Sequence, residues 1–226
     1  MSLVTVVIAT LNSQRYFMQC VQSLLSQSYL DFDVVIVDGG SSDGTLEMVS
    51  MLPNAKLIPQ SGRGLAAAWN EGIAHCNTPY IGFLDSDDWW EPTALSDHMS
   101  VLLSDANLDY STGMLRYLAE DPGALPYGFK PSLLEGLHQA LMPGCFVGKR
   151  ALFDSIGMFD ETLLVALDIQ WFHDLKLSSA RRYELDAHVL NKRVHLSNLS
   201  YTSCKTGTYR HELLSVVYRR LKSKGL

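Results

Sequence analysis

The chain has 226 residues, 47% of them apolar and 19% charged, proportions that exclude a wholly disordered protein. A formal charge of −6 argues against a nucleic-acid binder, which would present a basic face. No run nears the roughly 18 apolar residues a membrane span requires. Four cysteines, Cys20, Cys76, Cys145 and Cys204, show no C-x-x-C pair and no zinc spacing, as expected of reduced packing thiols. Met1 to Ala9 lacks the basic n-region of a leader, and the expectation is a cytoplasmic protein.

Leu3 to Ala9 is a run rich in Val and Ile, a first strand of a buried sheet. It ends at Thr10-Leu11-Asn12-Ser13, where Asn12 or Ser13 can cap the next helix. Phe17, Cys20, Val21, Leu24 and Leu25 recur at helical spacing and give that helix one apolar face. The strand Val34 to Val37 runs into Asp38 and a turn of small residues, Gly39 to Thr45, with Asp43 as an N-cap for a short helix from about Leu46. A third strand, Ala55 to Pro59, leads to Ser61-Gly62-Arg63-Gly64 and a helix carrying Leu65, Ala68, Trp69, Gly72 and Ile73 on one side. Strand–helix repeats joined by short turns predict an α/β fold: a mostly parallel central sheet with helices on both faces.

The fourth strand, Tyr80 to Leu84, empties into Asp85, Asp87 and Asp88. Acids crowded at a strand end repel one another, and hard carboxylate oxygens suit Mg2+ or Mn2+. Ligands of open α/β sheets gather beyond the carboxyl ends of strands, where these acids fall. The competing reading is a helix start with Asp87 or Asp88 as N-cap and Pro92 in the first turn, which accounts for one acid only.

The second half is less regular. A helix is predicted over Ala94 to Leu103, strands over Leu108 to Leu118, Cys145 to Gly148 and Arg182 to Leu190, and a loop over Glu120 to Pro131. A helical pattern runs from Leu163 to Leu177, and a last helix from Tyr209 to Lys224. That helix sets Leu213, Val216, Val217 and Leu221 on one face, with Arg219, Arg220, Lys222 and Lys224 clustered late. Two readings stand: cations offsetting the helix dipole, or a basic amphipathic tail resting peripherally on an anionic membrane.

Four motifs come in order: Ile8-Ala9-Thr10-Leu11-Asn12, Val37 to Thr45, Ala68-Trp69-Asn70-Glu71-Gly72-Ile73, and Phe83-Leu84-Asp85-Ser86-Asp87-Asp88. Together they make the first 100 residues resemble the family 2 glycosyltransferases, which have the GT-A (Rossmann-like) fold and use nucleotide-diphosphate sugars. The resemblance implies one domain, 1–226, with a nucleotide-sugar-binding half to about residue 100. An acceptor-binding half then runs to about 205, ahead of the basic helix over 206–226. It implies that Thr10, Asn12, Asp38 and Arg63 contact the donor, with Asp85 near the ribose or a metal-bound water and Asp87 ligating the metal, Mn2+ or Mg2+. His195, in Lys192-Arg193-Val194-His195, is similar to a late Arg-x-His segment that closes over the diphosphate.

The resemblance further implies an inverting hexosyl transfer to a hydroxyl of a glycan or lipid-linked acceptor, as in polysaccharide synthesis. The family commonly places its general base in a Glu-Asp pair after a Gly-x-Phe-Asp-Glu turn. Here Gly157-Met158-Phe159-Asp160-Glu161 is followed by Leu167-Asp168, so Asp168 keeps the position of the Asp and Leu replaces the Glu. An apolar neighbour raises a carboxyl pKa by desolvation, which suits a base near neutral pH. Phe129, Tyr127 and Trp171 are the aromatic candidates for acceptor contact. The alternatives are a module that holds nucleotide sugar or glycan without turnover, and a nucleotidyltransferase, which the lack of a Lys-containing Gly-rich loop near Thr10 to Arg15 disfavours.

Overall fold

The computed structural model describes residues 2–53 and 55–223, with side chains as far as 218. Leu221 and the late basic cluster, Arg219, Arg220, Lys222 and Lys224, fall outside the described side chains. In chain order the first half runs β1 (Val4–Thr10), α1 (Gln14–Leu25), β2 (Phe32–Asp38), α2 (Thr45–Val49), β3 (Ala55–Pro59), α3 (Gly64–Ala74), β4 (Tyr80–Phe83), β5 (Trp89–Trp90) and α4 (Ala94–Ser104). The second half runs β6 (Tyr110–Ala119), β7 (His138–Gln139), β8 (Phe146–Lys149), α5 (Leu152–Ser155), α6 (Leu167–Leu177), β9 (Arg182–Val194), α7 (Leu199–Thr206) and α8 (Thr208–Ser223).

One sheet joins both halves in the order β3-β2-β1-β4-β8-β6-β9-β5, with β7 paired to β6. β1, β2, β3 and β4 are parallel, while β8 is antiparallel to both β4 and β6 and β9 runs parallel to β6. The alternation of the strand side chains sorts the core onto two faces. Val4, Val6 and Ile8 face Phe17, Cys20, Val21 and Leu24 of α1, with Leu95 and Met99 of α4 in the same cluster. Val7, Val35 and Val37 face Ala68, Trp69 and Ile73 of α3, with Trp171 and Leu175 of α6 in theirs. Helices therefore cover both faces, as the repeats predict.

The motif residues of α3 act as fasteners. Gly72 lets the helix sit on β1: a Cβ there would lie 2.3 Å from Val7 Cγ1. Asn70, buried, accepts the Phe159 N–H at 3.0 Å and donates to the Phe159 carbonyl and Glu161. The turn leading to α6 is thus pinned to the first half. Glu71 accepts the backbone N–H groups of Ser61 and Gly62, which holds the Arg63 loop.

Some expectations change. The predicted last strand is 13 residues rather than nine, because β9 continues beside β6 and then meets β5. Helix α7 interrupts what the sequence left unassigned between that strand and the last helix. Trp171 does not reach an acceptor side: it is 3% exposed and stacks on Phe153 at 4.4 Å, with Nε1 donating to the Gly157 carbonyl. On α8, Val216 is buried but Val217 is 52% exposed, so the two do not share an inward face.

Candidate active site

The strand order reverses at β1. β2 and β3 lie on one side and β4 on the other, which makes the carboxyl ends of β1 and β4 the switch point where ligands of such sheets usually bind. A pocket of about 740 Å3 lies there, within the range of small-ligand sites. Asn12 and Ser13 border it from the end of β1, Asp85, Ser86 and Asp87 from the end of β4, and Asp168 from α6. Lys192 and His195 at the end of β9 and Asn198, Leu199 and Tyr201 at the start of α7 close the remaining side.

The three acids divide their roles because β5 pairs with β9, Trp89 opposite Asn191, which draws the end of β9 over the acidic turn. Asp88 is 1% exposed, and its two oxygens accept from Lys192 Nζ at 2.8 Å and the Arg193 N–H at 2.8 Å. Lys192 Nζ also lies 3.2 Å from Asp85 Oδ2. Burial works against the charge on Lys192, but Asp88, Asp85 and Asp87 together hold its ammonium well above the usual lysine range. Lys192 therefore offsets part of the repulsion among these crowded acids. Neither Asp87 nor Asp88 caps a helix: α4 begins at Ala94 after Thr93, beyond β5.

Asp87 turns the other way. Its Oδ2 lies 2.9 Å from His195 Nε2 and accepts from Asn198 Nδ2 at 3.0 Å. Burial pushes this acid up, but the His195 hydrogen bond and the Lys192 charge outweigh it and leave Asp87 below the usual range. Asp85 is pushed above it, chiefly by burial and then by the charge of Asp87, against the pull of Lys192. Asp85, Asp87 and Asp88 each offer an oxygen within 4.8 Å of the others. Because Asp88 is saturated by Lys192 and Arg193, the donor set open to a cation is Asp87 and Asp85. His195 stands behind Asp87 rather than in the set: its Nε2 is engaged by Asp87 Oδ2 and Asn198 Nδ2, and its ring is oriented by Ser197 Oγ at 2.8 Å from Nδ1. Hard carboxylate oxygens suit Mn2+ or Mg2+.

Asp168 is the second residue of α6 and borders the same pocket. Burial lifts its pKa from 3.8 to about 6, the Ile169 N–H lowers it, and the opposing charges of Asp85 and Lys192 both reach it. Leu167 beside it is fully buried, consistent with the desolvation expected from its replacing a Glu. The loop entering α6 is held by Glu212 of α8, whose carboxylate accepts the N–H groups of Leu164, Val165 and Ala166.

The remaining predicted residues do not all reach the pocket. Thr10 is buried, its carbonyl accepting the Gly39 N–H. Asp38 turns onto its own loop, accepting from Gly40 N–H, Ser41 N–H and Ser41 Oγ. Ser41 Oγ in turn accepts the N–H of Asn12, which sits at φ 49°, so Asp38 and Thr10 shape the wall that Asn12 presents. Asp43 spans two helix starts, taking the Gln14 N–H on one oxygen and the Thr45 N–H and hydroxyl on the other. Arg63 is exposed at the start of α3 and is not in the pocket wall. Tyr127 borders the pocket at 68% exposure, whereas Phe129 is buried between Tyr117 and Tyr201.

Sequence reasoning missed Lys192 as a partner of the acids, Asn198 as the second donor to Asp87, and Glu212. Lys192 stood in the quoted Lys-Arg-Val-His segment, but nothing local said that it would meet acids more than 100 positions away.

The family model for Glycosyl transferase family 2 matches residues 5–157. A hyaluronan synthase of Pasteurella multocida is 30% identical over 233 residues, covering 99% of this chain but 24% of its own length. The chain thus spans about a quarter of that relative. Among solved structures, TarS of S. aureus in complex with UDP-GlcNAc superposes with a TM-score of 0.69 at 22% identity, over 88% of this chain and 61% of its own. The mannosyltransferase PcManGT of Pyrobaculum calidifontis, in complex with GDP-Man and Mn2+, gives 0.61 at 19% identity, over 82% of this chain and 55% of its own.

Proposed function

The chain belongs to glycosyl transferase family 2 and has the GT-A fold, and we propose that it moves a hexose from a nucleotide-diphosphate sugar to an acceptor hydroxyl with inversion. The observation that carries this reading is the meeting of the Asp87–Asp85 carboxylates, with His195 on Asp87, and the raised Asp168 carboxylate around one pocket at the β1/β4 crevice. Asp87 and Asp85, with His195 beside them, would hold the divalent cation. Bound there, Mn2+ or Mg2+ offsets the negative charge that gathers on the diphosphate as it leaves.

In the proposed step the acceptor oxygen forms a bond to the anomeric carbon while the bond from that carbon to the diphosphate oxygen breaks. The acceptor proton passes to the Asp168 carboxylate, and the electron pair of the broken bond leaves with the diphosphate. A single displacement inverts the anomeric configuration and needs no covalent enzyme nucleophile. Asp168 suits the role because a pKa of about 6 leaves it ionised at neutral pH yet basic enough to accept the proton. Asn12 and Asp85 border the donor side, Asn12 being set by the Asp38–Ser41 turn. Exposed Tyr127 offers a ring face to a glycan acceptor. Lys192, tied to Asp85 and Asp88, keeps the acids in place when the pocket is empty of charge.

The test is calorimetric titration of UDP-GlcNAc and GDP-mannose, with and without Mn2+, into wild type and Asp168→Asn. Release of nucleoside diphosphate is followed in parallel, and the anomeric configuration of any product is read by NMR. The expected result is metal-dependent donor binding in both proteins, with release falling at least about 100-fold in the variant and an inverted product. Failure of every nucleotide sugar to bind would remove the donor site. Binding without release across varied acceptors would replace transfer by a non-catalytic holding module.

A further inference from the structure

Helices α7 and α8 connect the two chemical ends of the pocket. Asn198, the N-cap of α7, accepts the His195 N–H on Oδ1 at 2.7 Å and donates from Nδ2 to Asp87 at 3.0 Å. Gly207, at φ +77°, makes the elbow between the two helices, and Tyr209 just beyond it borders the pocket. Further along α8, Glu212 is 7% exposed. Its Oε1 accepts the Leu164 N–H at 2.8 Å, and its Oε2 accepts Val165 at 2.9 Å and Ala166 at 3.1 Å.

These amides enter α6, whose first turn carries Asp168 two residues later. The opening amides of a helix have no acceptor within it, and a negative charge there is favoured by the helix dipole. Glu212, on another helix and 44 positions along the chain from Asp168, therefore takes the N–H of the N-cap residue Ala166 together with the two amides before it and fixes the turn into α6, while the same helical pair grips Asp87 at its other end. Glu212 accepts from these three backbone N–H groups and is not in the pocket wall, so it acts on the base through the α6 entry rather than by contact.

We propose that α7 and α8 form a clamp that sets Asp168 against the donor site, with Glu212 as the positioning residue for that carboxylate. The inference rests on the reading of Asp168 as the base. The clamp holds the start of α6 at one separation from the β4 acids, so that an acceptor hydroxyl lies between base and donor. Loosening its α8 end leaves Asn198 of α7 on Asp87 and misplaces the base, a displacement that affects turnover rather than donor affinity.

The experiment measures Mn2+-dependent release of UDP from UDP-GlcNAc by wild type, Glu212→Gln, Gly207→Ala and Asp168→Asn. Glu212→Gln puts an NH2 group against amide donors. Gly207→Ala strains the elbow, and its Cβ meets nothing within 4 Å. The expected result is a kcat about 10–100-fold lower in Glu212→Gln, a smaller fall in Gly207→Ala, and a donor KM within twofold of wild type in both. Full kcat in both variants, with Asp168→Asn inactive, overturns the clamp and leaves the base assignment standing. A rise in KM that keeps step with the fall in kcat also overturns it, since that marks general loss of fold. Full turnover by Asp168→Asn refutes the base assignment itself. Should Glu212→Gln fail to fold, the kcat and KM of Gly207→Ala decide the matter.

Discussion

Replacing Asp168 with Asn removes a carboxylate that the pocket wall holds partly out of water, and the exchange is nearly isosteric. Burial raises this acid from 3.8 to about 6. At about 1.4 kcal/mol per tenfold, that displacement corresponds to about 3 kcal/mol of folded-state penalty on the ionised form. Because the group borders an open pocket, solvent screening reduces the figure, and about 1–2 kcal/mol is the expected net effect. The sign follows from linkage: a carboxyl whose folded pKa lies above its unfolded value binds its proton more tightly in the native state. The penalty is therefore fully present above pH 6, fades as the pH falls between 6 and 3.8, and vanishes below. Asn carries no such penalty at any pH. Asp168→Asn is thus expected to be more stable than wild type at pH 7.5, by about 2–8 °C in Tm for a chain of this size. The gain should shrink steadily towards pH 4, while turnover is lost throughout. Paired thermal melts of both proteins at each pH isolate the term, since all other groups are shared. A variant that melts at or below wild type at pH 7.5, or that keeps the same advantage at pH 4, refutes desolvation as the source of the raised pKa.

The same carboxylate should give wild type an acid limb in kcat/KM, falling tenfold per pH unit below about pH 6, and a limb centred near pH 4 would contradict its placement. Asp87→Ala should weaken Mn2+-dependent binding of the nucleotide sugar by at least about 30-fold, about 2 kcal/mol, in calorimetric titration. An unchanged affinity would remove Asp87 from the cation site. Lys192→Met leaves the buried Asp88 without its ammonium and should destabilise the chain by about 3–5 kcal/mol in urea, much of which Lys192→Met with Asp88→Asn recovers. Equal stability of the single variant and wild type would show that the pair is not a structural one. Gly72→Ala drives a methyl into Val7 Cγ1 and should lower stability by about 1–3 kcal/mol on thermal melting, with no change meaning that α3 can lift from β1 freely.

Local pattern determined much of this protein. Runs such as Val4 to Ile8 and Val34 to Val37 specify buried strands because β-branched side chains fill both faces of a covered sheet, and the turns after them specify parallel connections. The placing of Asp85 and Asp87 at a strand end was likewise legible, since it depends on residues within a few positions, and so was the direction of the Asp168 shift, although the burial that causes it is a property of the folded pocket. What each acid does was not legible. Asp88 became the saturated, structural member only because β5 pairs with β9 and lays Lys192 and Arg193 across it, a contact spanning more than 100 residues. Trp171, which has the composition of a sugar platform, went instead to the aromatic core with Phe153. Nothing local singled out Glu212, whose role exists only because α8 folds back and presents it to the amides before α6. Propensity and periodicity act over one or two turns of chain, so the sequence by itself settled the elements and the chemistry at their ends. Pairing between distant strands and helices divides those residues between holding the site together and facing the substrate, and that division was decided only by the tertiary structure.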